Sequence, residues 1–173
     1  MDSKDVLIEA FGRLDGLVDA AVEGLSEEQL AWRVSATGNS IAWLVWHLTR
    51  IQDDHLAGVI GTDQLWPAAG WQERFGLPFD PQATGYGHSS EDVEQVRGIS
   101  ADLLAGYFHA VNRATKSFLT DITPAGLDRV VDERWDPPVT MGVRLVSVLS
   151  DALQHVGQAA YVRGLIRAGS SES

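Results

Sequence analysis

The sequence contains no cysteine among its 173 residues. Structural disulfides, a cysteine-ligated zinc site and a catalytic thiol of the protein are therefore excluded, so any thiol chemistry must use a thiol that arrives as a substrate. Lysine is scarce as well, with only Lys4 and Lys116, and the net charge is −11. That negative charge argues against a nucleic acid or an anionic membrane surface as a partner.

The sequence also lacks a hydrophobic run long and pure enough to span a membrane, and its first five residues are acidic where a signal peptide is basic. We therefore expect a cytoplasmic protein. The hydrophobic fraction is 45%, which is typical of a globular chain with a substantial core. No internal repeat or linker interrupts the chain, so we expect residues 1–173 to form a single domain.

Four segments show the apolar period of amphipathic helices, and no strand is convincing beyond a brief extended piece at Val130 and Val131. The four segments are residues 4–22, 41–60, 89–119 and 140–167. This pattern predicts an all-α fold, a four-helix bundle. The long connection between the second and third helices allows those two helices to run parallel, which predicts a bundle with one crossover.

The connection, residues 61–89, combines recurrent glycine and proline with large aromatic side chains. A connection of this length is usually functional, and its aromatic residues argue against disorder. We interpret it as a packed lid or crossover, with one helical turn from about Trp71 to Phe75. The alternative is a surface loop whose aromatic side chains only anchor it to the bundle.

Two polar side chains, Asp151 and His155, interrupt the apolar run of the fourth helix. A separation of four residues places them on one helix face, and burying them is costly unless they are paired or bind a metal. His47, on the second helix, is the predicted third member. Three protein ligands with one open position are the pattern of a catalytic metal site, and these side chains suit Zn, Ni, Fe or Mn.

The alternative interpretation is that Asp151 and His155 only hydrogen-bond to each other and that His47 is an ordinary core histidine. On the helical wheel, Arg144 and Gln158 share the stripe of Asp151. Gln158 could contact the ligands or a substrate, and Arg144 could meet an anionic part of a ligand. Other histidine and aspartate residues are interpreted without a metal. We expect Asp53 and His55 to lie at a solvated helix end, and His88 and His109 to be structural or exposed.

Three motifs together resemble the DinB/YfiT-like superfamily of four-helix metalloenzymes, over nearly the whole chain. The first is W-L-x-x-H, here Trp43-Leu44-Val45-Trp46-His47. The second is a last-helix H-x-x-x-H-x-G-Q, here residues 151–158, in which Asp151 replaces the first histidine, and the third is the following Tyr161-Val162-Arg163-Gly164. Residues 39–43 and 85–89 resemble the actinobacterial mycothiol S-transferases, some of which have a His-Asp-His set.

The resemblance implies a metal-dependent thiol S-transferase of detoxification, which conjugates mycothiol or a similar low-molecular-weight thiol to an electrophile. It implies that a divalent metal, zinc before Ni, Fe or Mn, is held by three residues: His47, Asp151 and His155. The residues that would then line the pocket are Gln158, Arg144, Tyr86 and His88. The arginine-rich composition hints at a GC-rich genome and so favours mycothiol over bacillithiol or glutathione.

Two other classes of function fit the same motifs, because a fold does not determine a function. One is a thiol-dependent isomerase of the maleylpyruvate type, or a hydrolase, on the same scaffold. The other is a stress-response binding module without catalytic activity, which would show neither thiol affinity nor turnover. Exposed Trp and Leu side chains on an outer face of the bundle would allow a homodimer.

Overall fold

A computed structural model describes residues 1–170 of the chain. The elements in chain order are α1 (Ser3–Val22), α2 (Glu27–Ala31), α3 (Ile41–Ile60), α4 (Leu65–Ala68), α5 (Trp71–Phe75), α6 (Ser90–Gln95), α7 (Ala101–Thr120), α8 (Pro124–Asp128), β1 (Val130–Asp132), β2 (Val139–Thr140) and α9 (Met141–Ser170). Four of these helices, α1, α3, α7 and α9, are long and pack into a bundle, which confirms the predicted all-α fold.

In the bundle, each of the four long helices packs against two of the others. α3 packs against α7 and α9, and α1 packs against the same two helices, so α1 and α3 occupy opposite corners. Along α3, Arg50 contacts Tyr107 of α7, and Gln52 contacts Asn112 and Thr115 further along α7. Positions on the two helices therefore advance together, and α3 and α7 run parallel, as the long connection between them predicts.

The third predicted helix is two helices in the structure, because the chain turns between α6 and α7. Gly98 has a φ of +69°, a left-handed conformation that interrupts a helix. Ser100 then caps α7, its side chain accepting a hydrogen bond from the backbone N–H of Leu103 at 3.2 Å. The prediction of one helix over 89–119 missed this break because the buried residues Val93 and Val96 continue the apolar pattern up to it.

A small antiparallel sheet leads into the last helix. β1 confirms the extended piece predicted at Val130 and Val131, and it pairs with β2, which was not predicted. α9 follows β2 directly and continues past the predicted end at Arg167. The predicted polar tail begins at Gly169, and its last residues, 171–173, lie outside the described residues. Within residues 1–170, no helix is both long and apolar enough to cross a membrane.

Residues 61–89 form a packed layer over the bundle, named here the crossover. It contains α5, which the sequence predicts, and α4, which it does not. The Trp66 ring lies 5.2 Å from that of Tyr107 on α7, and the Phe79 ring lies 5.5 Å from that of Trp46 on α3. The aromatic side chains of the crossover therefore attach it to the bundle.

Two buried charged residues of α3 also hold the crossover. Arg50 is fully buried, and its Nε donates to the carbonyl of Ala83 at 3.1 Å. Asp53 accepts hydrogen bonds from the N–H groups of Leu65 and Trp66, at 2.9 and 2.8 Å, and so satisfies the first turn of α4. The expectation that Asp53 lies at a solvated helix end is therefore wrong.

Candidate metal centre

His47, Asp151 and His155 come together between α3 and α9. One potential ligand atom from each residue lies within 4.8 Å of the other two. Within residues 1–170, this is the only group of three or more His, Asp or Glu side chains close enough to hold a metal. The three residues that the sequence singles out are thus brought together by helices that are distant along the chain.

Each helix positions its side chains through its own local structure. The Ser40 side chain caps the start of α3 by accepting from the N–H of Trp43 at 3.1 Å, and His47 lies one further turn along, nearly fully buried. On α9, the four-residue spacing places Oδ1 of Asp151 at 3.4 Å from Nε2 of His155. Two of the candidate ligands therefore share one helix turn, and the third comes from the facing helix.

Both histidines have Nδ1 bound to a protein oxygen. Nδ1 of His47 lies 2.6 Å from the carbonyl oxygen of Thr84, and Nδ1 of His155 lies 3.0 Å from Oε1 of Gln158. These oxygens accept hydrogen bonds, so the hydrogen of each neutral imidazole is on Nδ1. In that neutral form the Nε2 atom of each ring has the lone pair that could bind a metal, and such hydrogen bonds fix the ring orientation.

Asp151 supplies the observation that tests whether the site fits a metal. Its Oδ2 atom is buried and has no hydrogen-bond partner among the described residues. A buried carboxylate oxygen without a partner is costly, and a bound cation would remove that cost. The alternative of a simple Asp–His hydrogen-bonded pair leaves this oxygen unsatisfied, so the residues present fit a metal better than they fit a closed pair.

The two histidines have pKa values shifted in opposite directions. Burial lowers the pKa of His47, and the nearby His155 lowers it further, against opposing effects of the Thr84 carbonyl and Asp151. The hydrogen bond with Asp151 raises the pKa of His155. His47 is therefore neutral near pH 7, whereas His155 holds its proton more tightly and would have to release it for a metal to bind.

Aromatic rings form one wall of the site. The Trp43 ring stacks on His47 with centroids 4.6 Å apart and planes 12° apart, and it meets His155 edge-on at 6.2 Å. Trp43 Nε1 donates to Nδ1 of His88 at 3.2 Å, and the His88 ring stacks on Trp46 at 5.7 Å. His88 therefore lies beside the centre, sharing the Trp43 ring with both candidate ligands.

Arg144 lies two turns before Asp151 on α9. Its Nη2 donates to Oδ2 of Asp132 at 3.0 Å, and its Nη1 lies 3.4 Å from Nδ1 of His55. Asp132 therefore compensates the guanidinium charge. Burial and the nearby Arg144 lower the pKa of His55, which is half-buried rather than at the solvated helix end that the sequence suggested.

The remaining predicted residues differ in their distance from the centre. Oε1 of Gln158 contacts Nδ1 of the candidate ligand His155 directly. The side chain of Tyr86 is 90% exposed and makes no contact with the cluster among the interactions of the described residues. His109 lies between α1 and α7, with Nδ1 3.2 Å from Asp15 and Nε2 2.8 Å from Asp19, in agreement with the structural role expected for it.

Sequence reasoning missed the carbonyl of Thr84. A main-chain oxygen has no side-chain signature, and it lies in a segment without helical or strand periodicity. The glycines on either side of Tyr86 were the available signal, because Gly85 and Gly87 both adopt positive φ values, +92° and +76°. Such a pair marks a tightly folded backbone that can approach another group closely.

Comparisons with known proteins agree on the family and the fold. A family model described as Mycothiol-S-transferase matches residues 6–168. Among solved structures, the crystal structure of a conserved protein from Enterococcus faecalis is similar, with 30% sequence identity and a TM-score of 0.90. The match covers 97% of this chain and 99% of that chain. No curated protein matches the sequence significantly.

Proposed function

This chain belongs to the mycothiol-S-transferase family, within the DinB-like superfamily, and on that premise we propose that it is a metal-dependent thiol S-transferase. Its substrates are mycothiol, or a similar low-molecular-weight thiol, and a small electrophile. The observation that carries the proposal is the cluster of His47, Asp151 and His155, with a buried oxygen of Asp151 that lacks a partner. The absence of cysteine agrees with a thiol that comes from outside the chain.

His47, Asp151 and His155 would hold a divalent ion, and zinc suits two imidazoles and a carboxylate with an open position. When bound, such an ion stabilises the thiolate form of a coordinating thiol at neutral pH. The protein supplies the orientation, since Thr84 and Gln158 hold the Nδ1 hydrogens of the two histidines. The ring of Trp43 covers one side of the cluster.

The reaction forms one carbon–sulfur bond. The thiol loses its proton to solvent, and its sulfur attacks the electrophilic carbon. With a substituted electrophile, the leaving group departs with the electron pair of its bond to carbon. With an activated double bond, the pair moves to the neighbouring carbon, which takes up a proton. His88 and Gln158 lie nearest the cluster among the proposed pocket residues, and Tyr86 and Arg144 would contact only a substrate that extends outward.

The proposal is tested by incubating the zinc-loaded protein with mycothiol and a model electrophile such as monobromobimane, and following the adduct by mass spectrometry. We expect adduct above the uncatalysed rate only when both metal and thiol are present. Asp151→Asn should abolish the acceleration, and the control Asp19→Asn, which changes a carboxylate on α1 beside His109, should retain it.

Other results would contradict the proposal in distinguishable ways. Turnover of an ester or amide without thiol would indicate a hydrolase. Conversion of a substrate to its isomer, with the thiol required but not consumed, would indicate the isomerase. A protein with neither thiol affinity nor turnover, after reconstitution with zinc or nickel, would be a binding module.

A further inference from the structure

Consecutive crossover residues contact α3 at and beside His47. The carbonyl of Ala83 accepts from Arg50, and the carbonyl of Thr84 accepts from His47 at 2.6 Å. The backbone of Gly85 passes so close that a Cβ atom there would lie 2.7 Å from Nδ1 of His47. The main chain of the crossover, rather than any of its side chains, therefore holds this candidate ligand.

The Thr84 carbonyl determines which nitrogen of His47 can bind a metal. A neutral imidazole has one N–H, and a carbonyl can only accept, so the hydrogen lies on Nδ1 and the lone pair on Nε2. Without that acceptor, His47 could adopt either tautomer and could rotate. Loss of the group that orients a ligand histidine typically lowers metal affinity.

Gly85 is the residue that lets the crossover approach this closely. Its φ is +92°, a conformation that side-chain-bearing residues rarely adopt. A Cβ atom would also lie 3.0 Å from the ring of Trp46 and 3.2 Å from that of Trp43. Both rings are buried in the core of the bundle, so an added methyl group must displace the backbone, and Thr84 with it.

Arg50 anchors the same segment from one turn further along α3. It is fully buried, and it donates through Nε to Ala83 and through Nη2 to the carbonyl of Pro81 at 3.5 Å. α3 therefore both presents His47 and holds the loop that orients His47.

We infer that residues 81–85, named here the His47 clamp, are part of the metal centre, and that Gly85 is a positioning residue for His47. The inference rests on the proposed function in so far as it concerns metal affinity. Its structural half, the tautomer of His47, holds in the metal-free protein as well and can be measured separately.

Gly85→Ala tests the clamp, with Gly87→Ala as its matched control. Both substitutions place alanine at a positive φ two residues apart, so both carry backbone strain. Only Gly85 is packed, because nothing lies within 4 Å of a Cβ atom at Gly87. Two measurements are made on each variant: the imidazole N–H signal of His47 by ¹⁵N NMR in metal-free protein, and zinc affinity by chelator competition.

We expect Gly85→Ala to lose or shift the Nδ1–H signal and to weaken zinc binding by roughly 10–100-fold, with circular dichroism unchanged. Gly87→Ala should retain both the signal and the affinity. If Gly85→Ala fails to fold, Arg50→Lys replaces it as the test. A lysine cannot reach two carbonyls as a guanidinium does, so this variant should change both readouts in the same direction. An unchanged signal and affinity in Gly85→Ala would overturn the inference.

The outcomes separate this inference from the proposed function. If neither the unaltered protein nor Gly87→Ala binds zinc, the proposed metal chemistry is wrong, and the NMR comparison still decides whether the clamp orients His47. If zinc binds equally to all variants while the Nδ1–H signal is lost in Gly85→Ala, the clamp does not act on metal affinity and the inference is wrong.

Discussion

His47 and His155 share one cluster, yet their surroundings differ. His47 is nearly fully buried and stacks on the Trp43 ring, and burial lowers its pKa. His155 is paired with Asp151, and that hydrogen bond raises its pKa. Protons and metal ions compete for the same Nε2 atoms, so the two histidines give the cluster a defined pH dependence.

Metal affinity should fall as the pH decreases through the raised pKa of His155, above the ordinary imidazole value of about 6.5. Binding there releases a proton from His155, whereas His47 is already neutral. In the metal-free protein the sign is opposite: protonated His155 stabilises the fold at low pH, and this contribution is lost as the pH rises through its folded-state pKa. Chelator competition and urea unfolding across this range measure both, and a pH-independent zinc affinity would contradict the assignment.

The ligand assignment predicts different results for two histidines with acidic neighbours. His155→Ala should weaken zinc binding by more than the roughly 10–100-fold that follows loss of a group behind a ligand. His109→Ala, which removes the partner of Asp15 and Asp19 on α1, should leave zinc binding unchanged. Elemental analysis and competition titration of both variants make the comparison, and equal metal content would contradict it.

For single residues, the sequence predicts those relations that follow from the spacing of residues along a helix. The i, i+4 relation of Asp151 and His155 is visible in the sequence, and so is His47 in an apolar helix. Two of the partners of Asp53 are not visible, because they are backbone N–H groups more than ten residues away in the crossover. A carboxylate that caps another element cannot be distinguished from a solvated one by its spacing alone.

Among the elements, the crossover has features of both interpretations of residues 61–89, a packed crossover and a loop anchored by its aromatic side chains. It is anchored by its aromatic side chains, and its backbone also reaches His47. The sequence predicts α5 and the parallel arrangement of α3 and α7, because both follow from composition and length. It does not predict the break between α6 and α7, since the apolar pattern continues through it and only Gly98 marks the turn.

Arg50→Met should destabilise the fold strongly, because Asp53, 3.7 Å away, would lose its buried positive partner and the crossover carbonyls would lose their donors. Removing one partner of a buried ion pair costs about 3–5 kcal/mol in the free energy of unfolding. The control Arg13→Met breaks an exposed pair with Glu9 and should cost less than about 1 kcal/mol. Urea unfolding compares them, and similar losses would show that Arg50 does not anchor the crossover.

For the whole molecule, the central feature is that the cluster joins α3 to α9, which are far apart in sequence. The cluster therefore exists only when the bundle is formed, and a metal that binds it stabilises the folded state. The fold as a whole is predictable because four apolar periods and one long connection leave few arrangements. The cytoplasmic location and the homodimer remain predictions from the sequence.

Zinc at a free concentration 100 times its dissociation constant should raise the free energy of unfolding by about 2.7 kcal/mol. The gain should be absent in His155→Ala, and we expect the circular dichroism of that variant to match that of the unaltered protein. Urea unfolding at buffered free zinc measures it. Equal stabilisation of the variant would mean that zinc acts at some other site.

The central claim is that an external thiol binds at a metal held by His47, Asp151 and His155. Because the chain has no cysteine, any thiolate-to-metal charge-transfer absorption in the cobalt-substituted protein must come from an added thiol. The measurement is a mycothiol titration of the cobalt-loaded protein followed in the near ultraviolet. The account predicts a saturable band that is absent from Asp151→Asn and His155→Ala. Cobalt that binds to the unaltered protein and gives no such band on saturation with mycothiol would contradict it.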